Sequence, residues 1–197
     1  MSLANKLSIF RILLVPAFVV CLLYYREGVS DWLRWLAAGF FVVGVLTDAV
    51  DGYVARAERQ ATRLGSILDP AADKLFLVTA FLCLSLISTL PASMRFQPWV
   101  PILVFSRDLI IVLGWLLIVL VTGDLRAQPS RLGKATTFFQ MLTIVAALFG
   151  WTFAHPVLLW TAMGLTVLSG IGYMRYGNKA LNFAAGQTQA RPPNGPG

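Results

Sequence analysis

The sequence predicts an all-α integral membrane protein with six transmembrane helices and both termini in the cytoplasm, and three observations carry that prediction. Of its 197 residues, 57% are hydrophobic and 13% charged, with a mean hydropathy of +0.72; an ordinary soluble domain has about 45–50% apolar and about 25% charged residues. Apolar stretches recur at 9–26, 33–56, 66–90, 98–122, 135–153 and 156–176, each close to the ~20 residues that a bilayer-spanning helix needs. Basic residues are divided unevenly between the two sides. With the N-terminus inside, cytoplasmic segments hold Lys6, Arg11, Arg56, Arg59, Arg63, Arg126, Arg131, Lys134, Arg175, Lys179 and Arg191, whereas the other side holds Arg26, Arg34 and Arg95. Lys and Arg are retained in excess on the cytoplasmic face.

The first element begins with Lys6 and Arg11 ahead of an apolar run to Tyr25, which resembles a signal peptide. The chain then reads Tyr24-Tyr25-Arg26-Glu27, with no small-x-small cleavage pattern, so a retained helix is expected. The second element ends through Thr47-Asp48-Ala49-Val50-Asp51-Gly52, and the third opens Gly65-Ser66-Ile67-Leu68-Asp69-Pro70-Ala71-Ala72-Asp73. The short link between them makes these helices antiparallel neighbours, with Pro70 a possible kink. The fourth carries Arg107 and Asp108 about nine or ten residues in, roughly mid-bilayer, so both should face protein or a wet cavity, while Lys74 is near enough to an end to snorkel. The fifth and sixth flank a loop expected to hold His155-Pro156. Trp32, Trp35, Trp99 and Trp151 fall near span ends, as interfacial anchors do. These elements define a membrane domain over 1–182, followed by a Gln-, Gly-, Pro- and Asn-bearing tail over 183–197 whose composition predicts disorder.

Residue usage excludes several chemistries. Cys21 and Cys83 sit in apolar runs and read as core residues rather than a disulfide or thiolate site. A single histidine gives no support to a Ser-His-Asp triad or a His-rich zinc centre.

The acids point elsewhere. Four of the nine Asp and Glu (Asp48, Asp51, Asp69 and Asp73) crowd the facing ends of the second and third helices. A carboxylate in a membrane helix costs a few kcal/mol by insertion scales, and four together repel one another unless cations offset both penalties. Taking Asp48 as zero at about 100° per residue, Asp51 lies near 300°, Gly52 near 40°, Ala55 near 340° and Arg56 near 80°, all on one side. On the next helix Gly65, Asp69 and Asp73 repeat every four residues along one stripe. Carboxylates without His or Cys suit Mg²⁺ or Mn²⁺, and four of them with a diphosphate suit two ions. Gly52 and Ala55 leave a gap for a bulky ligand, and Arg56 offers a fork for phosphate.

Written out, Asp48-x2-Asp51-Gly52-x2-Ala55-Arg56-x8-Gly65-x3-Asp69-x3-Asp73 resembles the signature of the CDP-alcohol phosphatidyltransferase family at every specified position and spacing. Asn5-x2-Ser8-x2-Arg11-x4-Pro16, Ser106-Arg107-Asp108 and Leu132-Gly133-Lys134 are similar to further landmarks of its phosphatidylglycerophosphate synthase and CMP-forming cardiolipin synthase branch. The resemblance implies a six-helix enzyme of phospholipid biosynthesis, commonly a homodimer. Such an enzyme moves a phosphatidyl group from CDP-diacylglycerol to an alcohol and releases CMP. It implies that Asp48, Asp51, Asp69 and Asp73 bind the metal pair, that Asp73 also acts as general base, and that Gly52, Ala55, Arg56 and Gly65 shape the cytidine diphosphate site. Its setting would be the cell inner membrane, with the site facing the cytoplasm. The expected partners are the two substrates, membrane lipids and a second copy of the chain, with no nucleic acid.

Arg107, Arg131 and Lys134 are the candidates for an acceptor phosphate, the first because an intramembrane arginine demands a partner and the others because they cluster in a cytoplasmic segment. Glycerol 3-phosphate is the leading acceptor; phosphatidylglycerol, giving cardiolipin, and inositol phosphate are the alternatives. An intramembrane prenyltransferase also uses Asp pairs but separates them much farther along a longer chain. A cation transporter would not need Gly52, Ala55 and Arg56 at their spacings.

Overall fold

The computed structural model describes residues 3–58, 65–122 and 131–189. These form α1 (Leu3–Tyr24), α2 (Asp31–Glu58), α3 (Gly65–Leu86), α4 (Trp99–Thr122), α5 (Arg131–Phe149) and α6 (Ala154–Gln189). Each helix overlays one of the apolar stretches, and the differences lie at their ends. The first link turns at Gly28, whose φ of 74° lies in the left-handed region, and the Gly28 N–H donates to Asp31 Oδ1 at 3.2 Å, securing the start of α2.

Two expected boundaries move for identifiable reasons. The third apolar stretch runs to 90, but α3 stops at Leu86 and the chain folds back on itself: the Phe96 N–H donates to the Leu84 carbonyl at 3.0 Å. Leu90, Met94 and Phe96 are buried there without being helical; hydropathy reports burial, and burial does not require a helix. At the other end, α5 finishes in a Schellman motif. Gly150 sits at φ 69°, with Gly150 N–H to Ala147 O at 3.1 Å and Trp151 N–H to Ala146 O at 3.0 Å.

The sixth helix corrects two further expectations. His155 lies in its first turn rather than in a loop, stacked on Phe96 with ring centroids 5.3 Å apart. The helix also continues through Gln189, so 183–189 is helical where composition pointed to disorder. That segment holds Ala184, Ala185 and Gln187 and meets no proline before Pro192, so nothing in it forbids continuation. Positions 190–197 lie outside the described residues. Pro16 and Pro70 leave α1 and α3 as single helices.

Helix contacts close a ring in the order α1, α2, α5, α6, α4, α3 and back to α1, with α3 also reaching across to α2 and α5. An aromatic cluster joins the first three helices, Phe76 meeting Phe18 at 5.5 Å and Phe41 at 5.3 Å, both edge-on. The bundle is apolar on its outer surface as well as in its core, and a few polar side chains are buried within it. Arg11, Arg107, Gln140, Thr143, Thr166 and Ser169 are buried, whereas Leu13, Leu23, Leu86, Ile102, Leu120 and Trp160 are exposed on the outer surface. An apolar exterior, with the buried polar side chains set among apolar ones and hydrogen-bonded between helices, is what a lipid solvent selects. Among the described residues, Trp99–Leu116, Leu132–Phe149 and Ala154–Arg175 are long and apolar enough to cross a bilayer, with shorter apolar stretches at Ile9–Tyr24 and Lys74–Leu86. The chain is a helical membrane protein.

Its two ends differ. At one, Trp32 and Trp35 open α2, Trp99 opens α4 and Trp151 follows α5. Arg34 ties this end together by donating from Nε to the Leu148 carbonyl at 2.6 Å, with its guanidinium 5.4 Å from the Trp35 ring centroid. The other end carries the C-terminal part of α2 and the start of α3.

Candidate functional site at the α2–α3 end

Helices α2 and α3 include positions 48–56 and 65–73 respectively. The side chains of Asp48, Asp51, Gly52, Ala55, Arg56, Gly65, Asp69 and Asp73 lie outside the described residues. What the structure defines is the space into which their two stripes continue. Extending the α2 stripe four residues inward from position 48 reaches Gly44, and extending the α3 stripe four residues from position 73 reaches Leu77. Gly44 and Leu77 line one small cleft, together with Arg11, Phe41, Val45, Phe76 and Met141. One turn deeper than positions 48 and 73, α2 and α3 therefore border a common cleft.

Gly44 is there because nothing larger fits. A Cβ at that position would lie 2.8 Å from Phe76 Cδ1 and closer still to Cε1, so the α2 backbone rests directly against the Phe76 ring. The sequence carried a signal for this contact: Gly44, Asp48 and Gly52 share a four-residue spacing, with a small residue on either side of the acid.

Arg11 is a second residue whose place differs from expectation. Counted as a topology-setting cation, it is instead 1% exposed and lines the cleft from α1. The bundle interior thus holds a guanidinium beside Gly44, on the cleft that α2 and α3 share.

Arg107 and Asp108 face protein, as their depth requires. Arg107 is 6% exposed; its Nη1 donates to Asp108 Oδ1 at 2.7 Å and its Nη2 to Ser169 Oγ on α6 at 2.7 Å. Lys74, whose side chain is partly exposed, donates from Nζ to Asp108 Oδ2 on α4 at 2.5 Å. Of the three acceptor-phosphate candidates, Arg107 already has protein partners on two nitrogens, while its buried Nε–H has none among the described residues. Lys134 is exposed in the first turn of α5, and Arg131 begins that helix with its side chain outside the described residues. Below them Thr136 Oγ1 donates to Leu165 O at 3.2 Å and Gln140 Nε2 to Thr166 Oγ1 at 3.0 Å, fixing α5 to α6.

No group of three His, Cys, Asp or Glu suited to a metal occurs among the described residues. Cys21 and Cys83 are free. By sequence, positions 48, 51, 69 and 73 on the ends of α2 and α3 carry carboxylates only, a donor type that suits hard divalent cations.

A family model described as CDP-alcohol phosphatidyltransferase matches residues 1–168. The chain is 33% identical over 196 residues to the CDP-diacylglycerol--glycerol-3-phosphate 3-phosphatidyltransferase of Bacillus subtilis (strain 168), covering 91% of this chain and 97% of that protein. Proteins of the same name are similar in Haemophilus influenzae, at 34% identity over 89% of this chain and 92% of theirs, and in Aquifex aeolicus, at 35% over 74% and 75%.

Proposed function

The chain belongs to the CDP-alcohol phosphatidyltransferase family, and from that premise we propose that it transfers the phosphatidyl group of CDP-diacylglycerol to glycerol 3-phosphate and releases CMP. The observation that carries the choice of acceptor is the likeness, at 33% identity over 91% of the chain, to a protein named for that reaction. We read the chain as six spans with both termini and the acidic end of the bundle in the cytoplasm, working as a homodimer in the inner membrane.

The chemistry follows from the residues. Asp48, Asp51, Asp69 and Asp73 would hold two Mg²⁺ or Mn²⁺ ions, which when bound neutralise the diphosphate and stabilise the departing CMP. Gly52, Ala55 and Gly65 leave room for the cytidine moiety, and Arg56 engages a phosphate oxygen through its fork. Asp73 takes the proton from the acceptor hydroxyl. The freed oxygen attacks the phosphorus that bears diacylglycerol, the bond from that phosphorus to the bridging oxygen breaks, and the electron pair leaves with CMP. Lys134, with Arg131 beside it in sequence, receives the acceptor phosphate; Arg107 supports that pocket from within the bundle.

The test is to give purified protein CDP-diacylglycerol and Mg²⁺ with glycerol 3-phosphate, phosphatidylglycerol or inositol phosphate in separate reactions, identifying the lipid product by mass spectrometry. Phosphatidylglycerophosphate in the first reaction is expected. CMP release with phosphatidylglycerol or inositol phosphate alone would reassign the acceptor, and none with any of the three would remove the activity.

A further inference from the structure

We propose that Asp108 is a positioning residue that acts through Lys74 to set the rotation of α3, and with it the angular placement of positions 69 and 73. This inference rests on the assignment of those two acids to the reaction. The Asp108 carboxylate is held from both sides: Oδ1 accepts from Arg107 Nη1 at 2.7 Å, and Oδ2 accepts from Lys74 Nζ at 2.5 Å. Arg107 is itself anchored, donating to Ser169 Oγ at 2.7 Å, with its Cγ 3.8 Å from where a Cβ on Gly170 would lie. The chain of contacts therefore runs from α6 through α4 to α3, and its fixed end is buried while its free end is not.

Lys74 is the free end. Its side chain is 44% exposed, against 15% for Asp108. An ammonium on a four-carbon stem so close to water ordinarily extends towards it; here it turns to α4. Because Lys74 directly follows Asp73, position 73 lies about 100° and position 69 about 140° around the helix from it. Fixing Lys74 against α4 fixes the stripe of 69 and 73 relative to the rest of the ring. At 15% exposure the carboxylate is shielded from much of the solvent that would weaken such a tether.

The experiment compares D108N, K74M, the double variant and K74R with the wild-type protein in detergent. Three quantities are measured: kcat and KM for CDP-diacylglycerol, Mn²⁺ affinity by electron paramagnetic resonance without substrate, and melting temperature. Misplacing reacting groups by about 1 Å costs on the order of 10²-fold, so D108N and K74M are each expected to weaken Mn²⁺ binding and lower kcat by at least about tenfold, with KM little changed. The double variant should be no worse than either single one, and K74R, which still reaches the carboxylate, should recover most of both quantities. Mn²⁺ affinity within twofold of wild type in K74M, losses that multiply in the double variant, or losses that track melting temperature instead of the charge at position 74 would each overturn the proposal. A wild-type protein that neither binds Mn²⁺ nor releases CMP sinks the functional reading itself, which separates the two failures.

Discussion

Replacing Gly44 by alanine tests whether the contact between α2 and Phe76 sets the spacing of the site. The added methyl would sit 2.8 Å from Phe76 Cδ1, where carbon atoms in contact prefer about 3.5–4.0 Å, so something must retreat by roughly 1 Å. Phe76 cannot easily do so, being 4% exposed and lodged edge-on against both Phe18 and Phe41. The strain therefore passes to the helices, separating α2 from α3 one turn from Asp48 and Asp73. Overpacking of this kind costs about 1–3 kcal/mol, and a displacement of about 1 Å at reacting groups is enough for a loss on the order of 10²-fold. The assay is CMP release at saturating CDP-diacylglycerol, with melting temperature measured on the same preparation. G44A should lose both stability and turnover, and F76L added to it should restore much of each by withdrawing the ring. Wild-type turnover in G44A, or a loss that F76L leaves untouched, would refute the reasoning.

D73N should lower kcat at saturating Mg²⁺ by at least about 10²–10⁴-fold, the usual worth of a general base; turnover near wild type under those conditions removes Asp73 from that role. Chelation by EDTA should abolish CMP release and added Mg²⁺ should restore it, whereas D48N or D69N should stay inactive at any metal concentration; retained activity without metal is the opposing result. G150A should destabilise the protein by about 1–2 kcal/mol, the typical penalty for a side chain in the left-handed region. The added Cβ would also lie 3.2 Å from Arg34 Cζ. Because this contact belongs to the tryptophan-bearing end, kcat at 25 °C should be unchanged, which thermal denaturation and CMP release together check.

The six helices were legible because each carries a long apolar run bounded by polar breaks, and such runs report helices directly. The acidic motif was legible for a related reason: charge is costly in such a chain, and its presence demands a purpose. Helix ends were less so. Between Ile87 and Phe96, Leu90, Met94 and Phe96 are apolar and buried without being helical, a case that hydropathy cannot separate from helix formation. Arg11 was misread because its nearness to the N-terminus resembles that of a topology signal, and only packing against α2 and α3 places it inside. The Lys74–Asp108 pair joins residues 34 positions apart on different helices. A helical wheel orients each helix about its own axis and says nothing of the rotation between two of them, so neither partner could be assigned to the other in advance.

The arrangement of Arg107 and Asp108 also bears on how the chain enters the membrane. Helices leave the ribosome in sequence order, so α4 reaches the bilayer before the hydroxyl of Ser169 on α6 has been made. An unaccompanied arginine at the centre of an inserting helix costs about 2.5–3.5 kcal/mol on translocon scales. Arg107 carries its counterion on the adjacent residue, at 2.7 Å, and Lys74 has already arrived on α3 to meet the second oxygen. The charge that α6 finally locks in place is thus chaperoned through biosynthesis by its own neighbour.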